Sequence, residues 1–433
     1  MRYAGSIVLL FITASLIAQD TANVLTPDQA VAIALEHNHG IRLARSQART
    51  SEVMNNAGNA GMFPVLGLNG VYSVDNRSTR QVFFSGEVRD ADNANTQLLD
   101  GALSLNWTVF DGLAMFARKD RLEALESIGR GELKQQIETT IHDVLNNYYL
   151  AVQMESAVSV QREGLVTSRE RLRIVETGER LGAASGLELV QARLDLNADS
   201  SALLDLIDQH SFAVSALNTL MGRDPSMPVR LGSAIPATDE LDPAVIREKA
   251  RTNNASLAQA KHMQQLAEAS VRELRGALLP QVDLFANYGY RRSTSDVGFI
   301  QSSRAVGPDY GAVISIPLFS GFQERSALEV ARIQQEQAAL STDQVQLQLD
   351  QQITDGWTTY TTARQRVAME STNLEGIRQQ VEVALETYRL GMLTAVELRD
   401  VQQGMITAEN RLLLAQYEAK MAELRLKILA GEI

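Results

Sequence analysis

The amino-acid sequence predicts a mainly α-helical protein with a small β part, written twice in tandem along the chain. Three observations carry this expectation: motifs that recur at a nearly constant offset, long proline-free segments with helical spacing of apolar residues, and short stretches that switch to a period of two. Leu25-Thr26-Pro27-Asp28 returns as Leu241-Asp242-Pro243-Ala244, 216 positions on, and Asn38 then falls on Asn254. Pro64 returns at Pro280 by the same offset, each followed by an alternating run. Val109-Phe110-Asp111-Gly112 returns as Leu318-Phe319-Ser320-Gly321, 209 positions on. Arg180-Leu181-Gly182 with Glu188-Leu189 returns as Arg389-Leu390-Gly391 with Glu397-Leu398, also at 209. Residues 19–222 therefore read as a first repeat and 243–433 as a second. Between them, residues 223–242 read as a linker carrying Pro225, Pro228 and Pro236.

The chain starts with Arg2, an apolar run from Ile7 to Ile17, and Ala18 ahead of a polar stop. A run of about 11 residues is short for a membrane-spanning helix but suits a signal peptide, so residues 1–18 are expected to be removed on export. Each repeat then reads as short helix, two strands, long helix, turn and helix. The short helices are expected over Pro27–Met62 and Gly186–Met221. The long ones occupy Leu113–Leu181 and Phe322–Leu390, both free of proline. Their apolar residues recur three and four apart, as in Ile141, Val144, Tyr148 and Val152, or Ile353, Trp357 and Tyr360. Each such segment makes about 100 Å of helix, and a rod-like molecule is expected.

Composition removes whole classes of function. Lys plus Arg number 40 against 52 Asp plus Glu, a formal charge of −12, which does not suit a nucleic-acid binder. With no Cys, disulfides and thiolate sites are excluded. Phosphate-binding, dinucleotide, zinc-protease and hydrolase motifs are missing, and the five histidines are scattered. No enzyme, cofactor or metal site is expected.

The period-two stretches point to a membrane. Leu103, Leu105, Trp107 and Val109 alternate with polar residues; Leu66, Leu68, Tyr72 and Val74 do the same, as do Val282 to Tyr290 and Ala312 to Ile316. Each stretch is about nine or ten residues, enough to cross a bilayer when tilted. Trp107, Phe110, Tyr288, Tyr290, Tyr310 and Phe319 fall near strand ends, as an aromatic girdle would. The connections Asp75–Asp100 and Arg291–Gly307 read as long polar extracellular loops. Four strands cannot close a membrane barrel, and an open edge cannot face lipid, so several chains are required; three would supply twelve strands.

On these residues the chain resembles the TolC-like outer membrane efflux protein family. The resemblance rests on Leu25–Ala48 and its copy, the Pro64 and Pro280 junctions, the two Phe-x-Gly turns and the two Arg-Leu-Gly turns. It implies a homotrimer with a twelve-stranded transmembrane β-barrel in the outer membrane lipid of a Gram-negative bacterium, continued by an α-helical barrel in the periplasm. The implied function is the passive exit duct of a tripartite efflux or type I secretion system. A periplasmic adaptor and an inner-membrane pump of RND, ABC or MFS type would be its partners. Gly182 and Gly391 sit where a helix must reverse, with Ser185 and Thr394 able to cap the returning helices. The resemblance makes Arg180, Leu181, Gly182, Arg389, Leu390 and Gly391 adaptor-contact tips. It likewise assigns Glu397, Asp400, Glu188 and Tyr388 to the periplasmic aperture. The rival reading is a secreted periplasmic coiled-coil spacer without channel activity.

Overall fold

The computed structural model describes residues 24–232 and 234–433; the expected signal peptide lies outside the described residues. Two helices, two strands and two helices follow one another twice. The first set is α1 (Pro27–His37), α2 (His39–Met54), β1 (Val65–Val82), β2 (Val88–Asp111), α3 (Ala114–Arg180) and α4 (Gly186–Leu220). The second is α5 (Pro243–Asn253), α6 (Ala255–Gly276), β3 (Gln281–Ser295), β4 (Ser302–Ser315), α7 (Gln323–Arg389) and α8 (Ala395–Leu429). The long helices α3 and α7 have 67 residues each and begin and end within a residue or two of the expected bounds. Their starts share one device: Gly112 and Leu113 have φ of 68° and 71°, and Gly321 and Phe322 have 64° and 66°. Two successive left-handed residues turn the chain sharply from strand into helix.

The chain forms two compact units, one made of residues up to Asn38, Ile141–Asp239 and Tyr360–Ala422, the other of His39–Thr140, Glu240–Thr359 and Glu423–Ile433. In the first unit, Val144, Tyr148, Val152, Leu217 and Met221 are buried. Tyr148 donates to the Leu25 carbonyl at 2.7 Å and accepts from the Gly232 N–H at 3.2 Å, while the buried Tyr360 hydroxyl donates to the Asp239 carbonyl. Leu25 and Leu231 form a parallel bridge. The linker between the repeats is thus held by a tyrosine from each long helix.

In the second unit all four strands form one antiparallel sheet in the order β1-β2-β3-β4. Arg118 and Arg121 of α3 each donate to one oxygen of the Glu273 carboxylate in α6 at 2.8 Å, fixing the helices beneath the sheet. Val271 of α6 packs with Leu328 and Ala331 of α7.

Two expectations are corrected. The expected helix Pro27–Met62 is broken at Asn38 and stops at Met54, and its counterpart is broken at Asn254. Both asparagines have extended backbone, with ψ of 125° and 124°. The Asn38 side chain donates to the Leu220 carbonyl at 2.8 Å, and Asn254 to the Leu429 carbonyl at 3.2 Å. Each break is stabilised by satisfying an orphan carbonyl at the end of the fourth helix of its repeat. The stretches read as extracellular loops are also largely strand: pairing runs on to Val82↔Val88 and to Thr294↔Ser302. The ladder is made by backbone groups, so it continues after the side-chain alternation fades, through Thr, Arg and Gln residues that tolerate extended backbone.

At the first joint Gly222 has φ of 68°, and a Cβ there would lie 2.6 Å from the His37 carbonyl oxygen. Gly222→Ala is expected to cost about 2 kcal/mol in thermal unfolding followed by circular dichroism. Gly186→Ala, a helical site in open space, is expected to melt at or above the wild-type temperature.

Candidate functional site

Antiparallel partners share a face, so the register sorts the sheet into two. One face carries the rows Phe110-Val282-Ile314, Trp107-Leu284-Ala312, Leu66-Leu105-Ala286-Tyr310 and Leu68-Leu103-Tyr288-Pro308. It continues with Gly70-Gly101-Tyr290-Val306 and Tyr72-Leu99-Arg292-Arg304. The other face carries Asn69, Ser104, Asn106, Thr108, Asp100, Asp283, Asn287 and Arg291. Its polar groups bond across strands: Thr108 to Asp283 at 2.6 Å, Asn69 to Ser104 at 3.1 Å, Arg291 to Asp100 at 2.5 Å. The apolar face is uncovered in the single chain, with Leu68 80% and Tyr310 77% exposed. From Val282 to Arg292 is about 33 Å of strand, or about 25 Å of height at a tilt near 40°, the depth of an outer-membrane apolar band.

Of the six expected aromatics, five occupy five consecutive rows of the apolar face rather than two separate bands. Trp107 and Phe110 lie in the rows nearest the helices, where the Trp107 indole donates to the Met62 carbonyl at 3.0 Å; Phe319 follows β4, edge-on to Phe322 at 5.3 Å. Tyr310, Tyr288 and Tyr290 occupy three successive rows farther from the helices.

The tips are built by matching turn chemistry. Gly182 and Gly391 both have φ of 75°. The Ala183 N–H donates to the Gly178 carbonyl at 2.7 Å and the Gly182 N–H to Glu179 at 3.0 Å; Met392 and Gly391 repeat this with Thr387 and Tyr388 at 3.1 and 2.9 Å. Both tips are therefore Schellman caps. Arg180 is exposed and folds back on Glu176 and Thr177 of its own helix; Arg389 closes α7. Leu181 and Leu390 stand out into solvent, 79% and 70% exposed.

The returning helices open with capping boxes. The Glu188 carboxylate accepts from the Ser185 N–H at 3.0 Å, and Glu397 accepts from the Thr394 N–H and hydroxyl at 2.8 and 2.7 Å. Ser185 and Thr394 in turn accept from the N–H of their glutamates. Hydrogen bonds from Thr394 hold the Glu397 carboxyl below its ordinary pKa. The pattern S-x-x-E and T-x-x-E, legible in the sequence, already contained this structural role. Asp400 is exposed; it shares with Glu188 the lining of a cavity of about 470 Å³ that also takes in Leu187, Val396, Arg171 and Arg399. Tyr388 is half-buried, which raises its phenol pKa; the Arg171 charge opposes that rise and the Glu188 charge adds to it.

Behind this cavity lies a buried charge network that sequence reasoning missed. Arg399 of α8 grips Asp199 of α4 with two hydrogen bonds, at 2.7 and 2.5 Å, and Ser168 of α3 donates to the same carboxylate. Arg171 pairs with Asp195 at 2.5 Å and is itself only 4% exposed. Burial alone would raise the Asp199 carboxyl. The hydrogen bonds from Arg399 and Ser168, with the charges of Arg399 and Arg171, outweigh it and leave the pKa depressed. In sequence, Asp195 and Asp199 look like an ordinary solvated i, i+4 face. Nothing local shows that Arg399 will meet them.

A sheet with one apolar and one polar face, in a chain with long paired helical hairpins, defines an outer-membrane channel protein. The model of the outer membrane efflux protein family matches residues 30–223 and 246–432, and the chain belongs to that family of outer membrane transport proteins. Protein CyaE of Bordetella pertussis is 25% identical over 411 residues, covering 94% of this chain and 84% of that protein. The solvent efflux pump outer membrane protein SrpC of Pseudomonas putida is 22% identical over 405 residues, covering 92% of this chain and 83% of SrpC. Among solved structures, the outer-membrane channel OprN superimposes with a TM-score of 0.78 at 20% identity, over 94% of this chain and 89% of OprN.

Removing Asp199 would leave the largely buried Arg399 guanidinium without its anion, while Arg171 keeps Asp195. Asp199→Ala is expected to cost about 3 kcal/mol in unfolding free energy. A depressed carboxyl stabilises fully above its unfolded pKa and loses that contribution as pH falls through the folded value. Wild-type melting temperature should therefore drop on acidification below the ordinary carboxylate range, and Asp199→Asn should make that drop smaller by the share Asp199 contributes.

Proposed function

We propose that three copies join edge to edge, β4 of one against β1 of the next, into a twelve-stranded outer-membrane barrel. The barrel is the exit duct of a tripartite efflux or type I secretion system. The observation that carries this reading is the sheet itself: two open edges and a lipid-compatible face backed by a polar one. Backbone groups left unpaired in hydrocarbon cost several kcal/mol each, so each edge needs a partner. The apolar face meets lipid and the polar face, with Asn69, Thr108, Asp283 and Asp100, lines the water-filled lumen. The helical hairpins lie on the periplasmic side.

In this arrangement the tips meet a periplasmic adaptor through the protruding Leu181 and Leu390, presented by the Gly182 and Gly391 caps beside Arg180 and Arg389. An inner-membrane pump supplies energy and cargo. The chain itself does no chemistry. Glu397 and Asp400, with Glu188 and Tyr388, form an acidic aperture, three carboxylates per level in the trimer, which disfavours anions and admits cations. The name of SrpC supports the efflux branch of this reading.

Single-channel recording in planar bilayers tests it. The detergent-extracted protein is expected to insert and conduct with a cation preference in its reversal potential. Glu397→Gln combined with Asp400→Asn should weaken that preference with the fold retained at a small cost in stability, because Gln can keep the Thr394 capping box closed but gives up the carboxylate charge. Release of the protein by osmotic shock, with no requirement for detergent, would overturn the channel reading.

A further inference from the structure

Arg292 and Arg304 stand directly opposite each other on β3 and β4, one row of this face before the last pair of that hairpin, Thr294↔Ser302. Both are exposed. The Arg304 guanidinium lies 5.3 Å from the centre of the Tyr290 ring, which holds it against this face. Like charges set opposite each other on neighbouring strands repel. The adjoining rows on the same face are Gly70-Gly101-Tyr290-Val306 and Val74-Gln97-Thr294-Ser302, without a carboxylate. The next residue in the chain makes the contrast: Arg291, on the polar face, is neutralised by Asp100 at 2.5 Å. Closing the barrel cannot supply a counter-charge either. Whatever the register, β1 would bring Leu66, Leu68, Gly70, Tyr72, Val74 and Asn76 to this face, and none is acidic.

From this geometry we infer that Arg292 and Arg304 form a binding site for the phosphate headgroup of an anionic lipid in the outer leaflet. The inference rests on the barrel reading, which turns this face to lipid and puts the hairpin turns on the outer side. The row then sits about 25 Å from the helix end of the apolar band, at headgroup depth. Two guanidinium forks, one steadied on a tyrosine ring, suit bidentate contact with phosphate oxygens, and a tethered phosphate is the occupant because the row borders hydrocarbon rather than the lumen. Three such sites would ring the barrel.

Native mass spectrometry of the purified, detergent-solubilised trimer, titrated with bisphosphorylated lipid A and with dephosphorylated lipid A of the same acyl chains, tests the site. Wild type is expected to prefer the phosphorylated form by about tenfold or more, the size of effect that charge-assisted bonds to one phosphate give. Arg292→Gln with Arg304→Gln should abolish the preference, while Arg77→Gln, on the polar face and paired with Asp75, should keep it. Equal binding of the two lipids by wild type overturns the inference, whether or not the double variant folds. An undiminished preference in a correctly trimeric double variant also overturns it, and displacement by millimolar inorganic phosphate would reassign the site to free phosphate. Failure of wild type to form a trimer before any lipid is added would instead count against the barrel reading itself.

Discussion

A backbone N–H or C=O that meets neither water nor a partner is costly, and in hydrocarbon there is no water to turn to. β1 and β4 each carry such a row along one edge, because the sheet has four strands among the described residues. Most of what is distinctive here answers that constraint. The strands are kept few and continuous, one face is almost wholly apolar, and the opposite face, which also carries Val65, Val71, Leu98, Phe285 and Val313, bonds its polar groups to each other. A single chain with this sheet has two edges to satisfy, and pairing them through copies of the chain, as proposed, would close the sheet into a pore.

The helical part obeys a different rule, economy of device. Each turn is made twice with the same chemistry: left-handed pairs at Gly112-Leu113 and Gly321-Phe322, Schellman glycines at 182 and 391, capping boxes at Ser185-Glu188 and Thr394-Glu397. The asparagine joints at 38 and 254 complete the set. These positions fix where helices start, stop and bend, and they tolerate little substitution because backbone geometry or an orphan carbonyl dictates the residue. The faces between them are free to diverge.

That division explains what could be read from the sequence. The long helices were legible to within a residue or two, since proline-free helical spacing over so long a run has no competing reading. The duplication and the Arg-Leu-Gly turns were legible because turn chemistry is local. The helix breaks at Asn38 and Asn254 were not, because neither carries a Pro or Gly and each is stabilised by a carbonyl more than 170 residues away. The strands were cut short because Asn76, Arg77 and Thr79 look like loop residues while their backbone still pairs. At the tips, Glu397 was read for its charge and Glu188 as a gate residue by resemblance, although the nearest task of both is to cap. The Asp199-Arg399 pair was invisible because its members lie 200 residues apart on helices whose charged faces look solvated.

The Asp199-Arg399 pair also breaks the internal symmetry. Moved by the repeat offset of 209, Asp199 falls on Ala408 and Arg399 on Val190, and Ser168 falls on Ile377, so the reciprocal contact has no residues to form it. A ring of six hairpins from three chains would then have two kinds of seam in alternation, one riveted by a buried ion pair within each chain and one between chains without it. Such a ring would dilate as three paired staves rather than six single ones, and its opening would keep threefold symmetry.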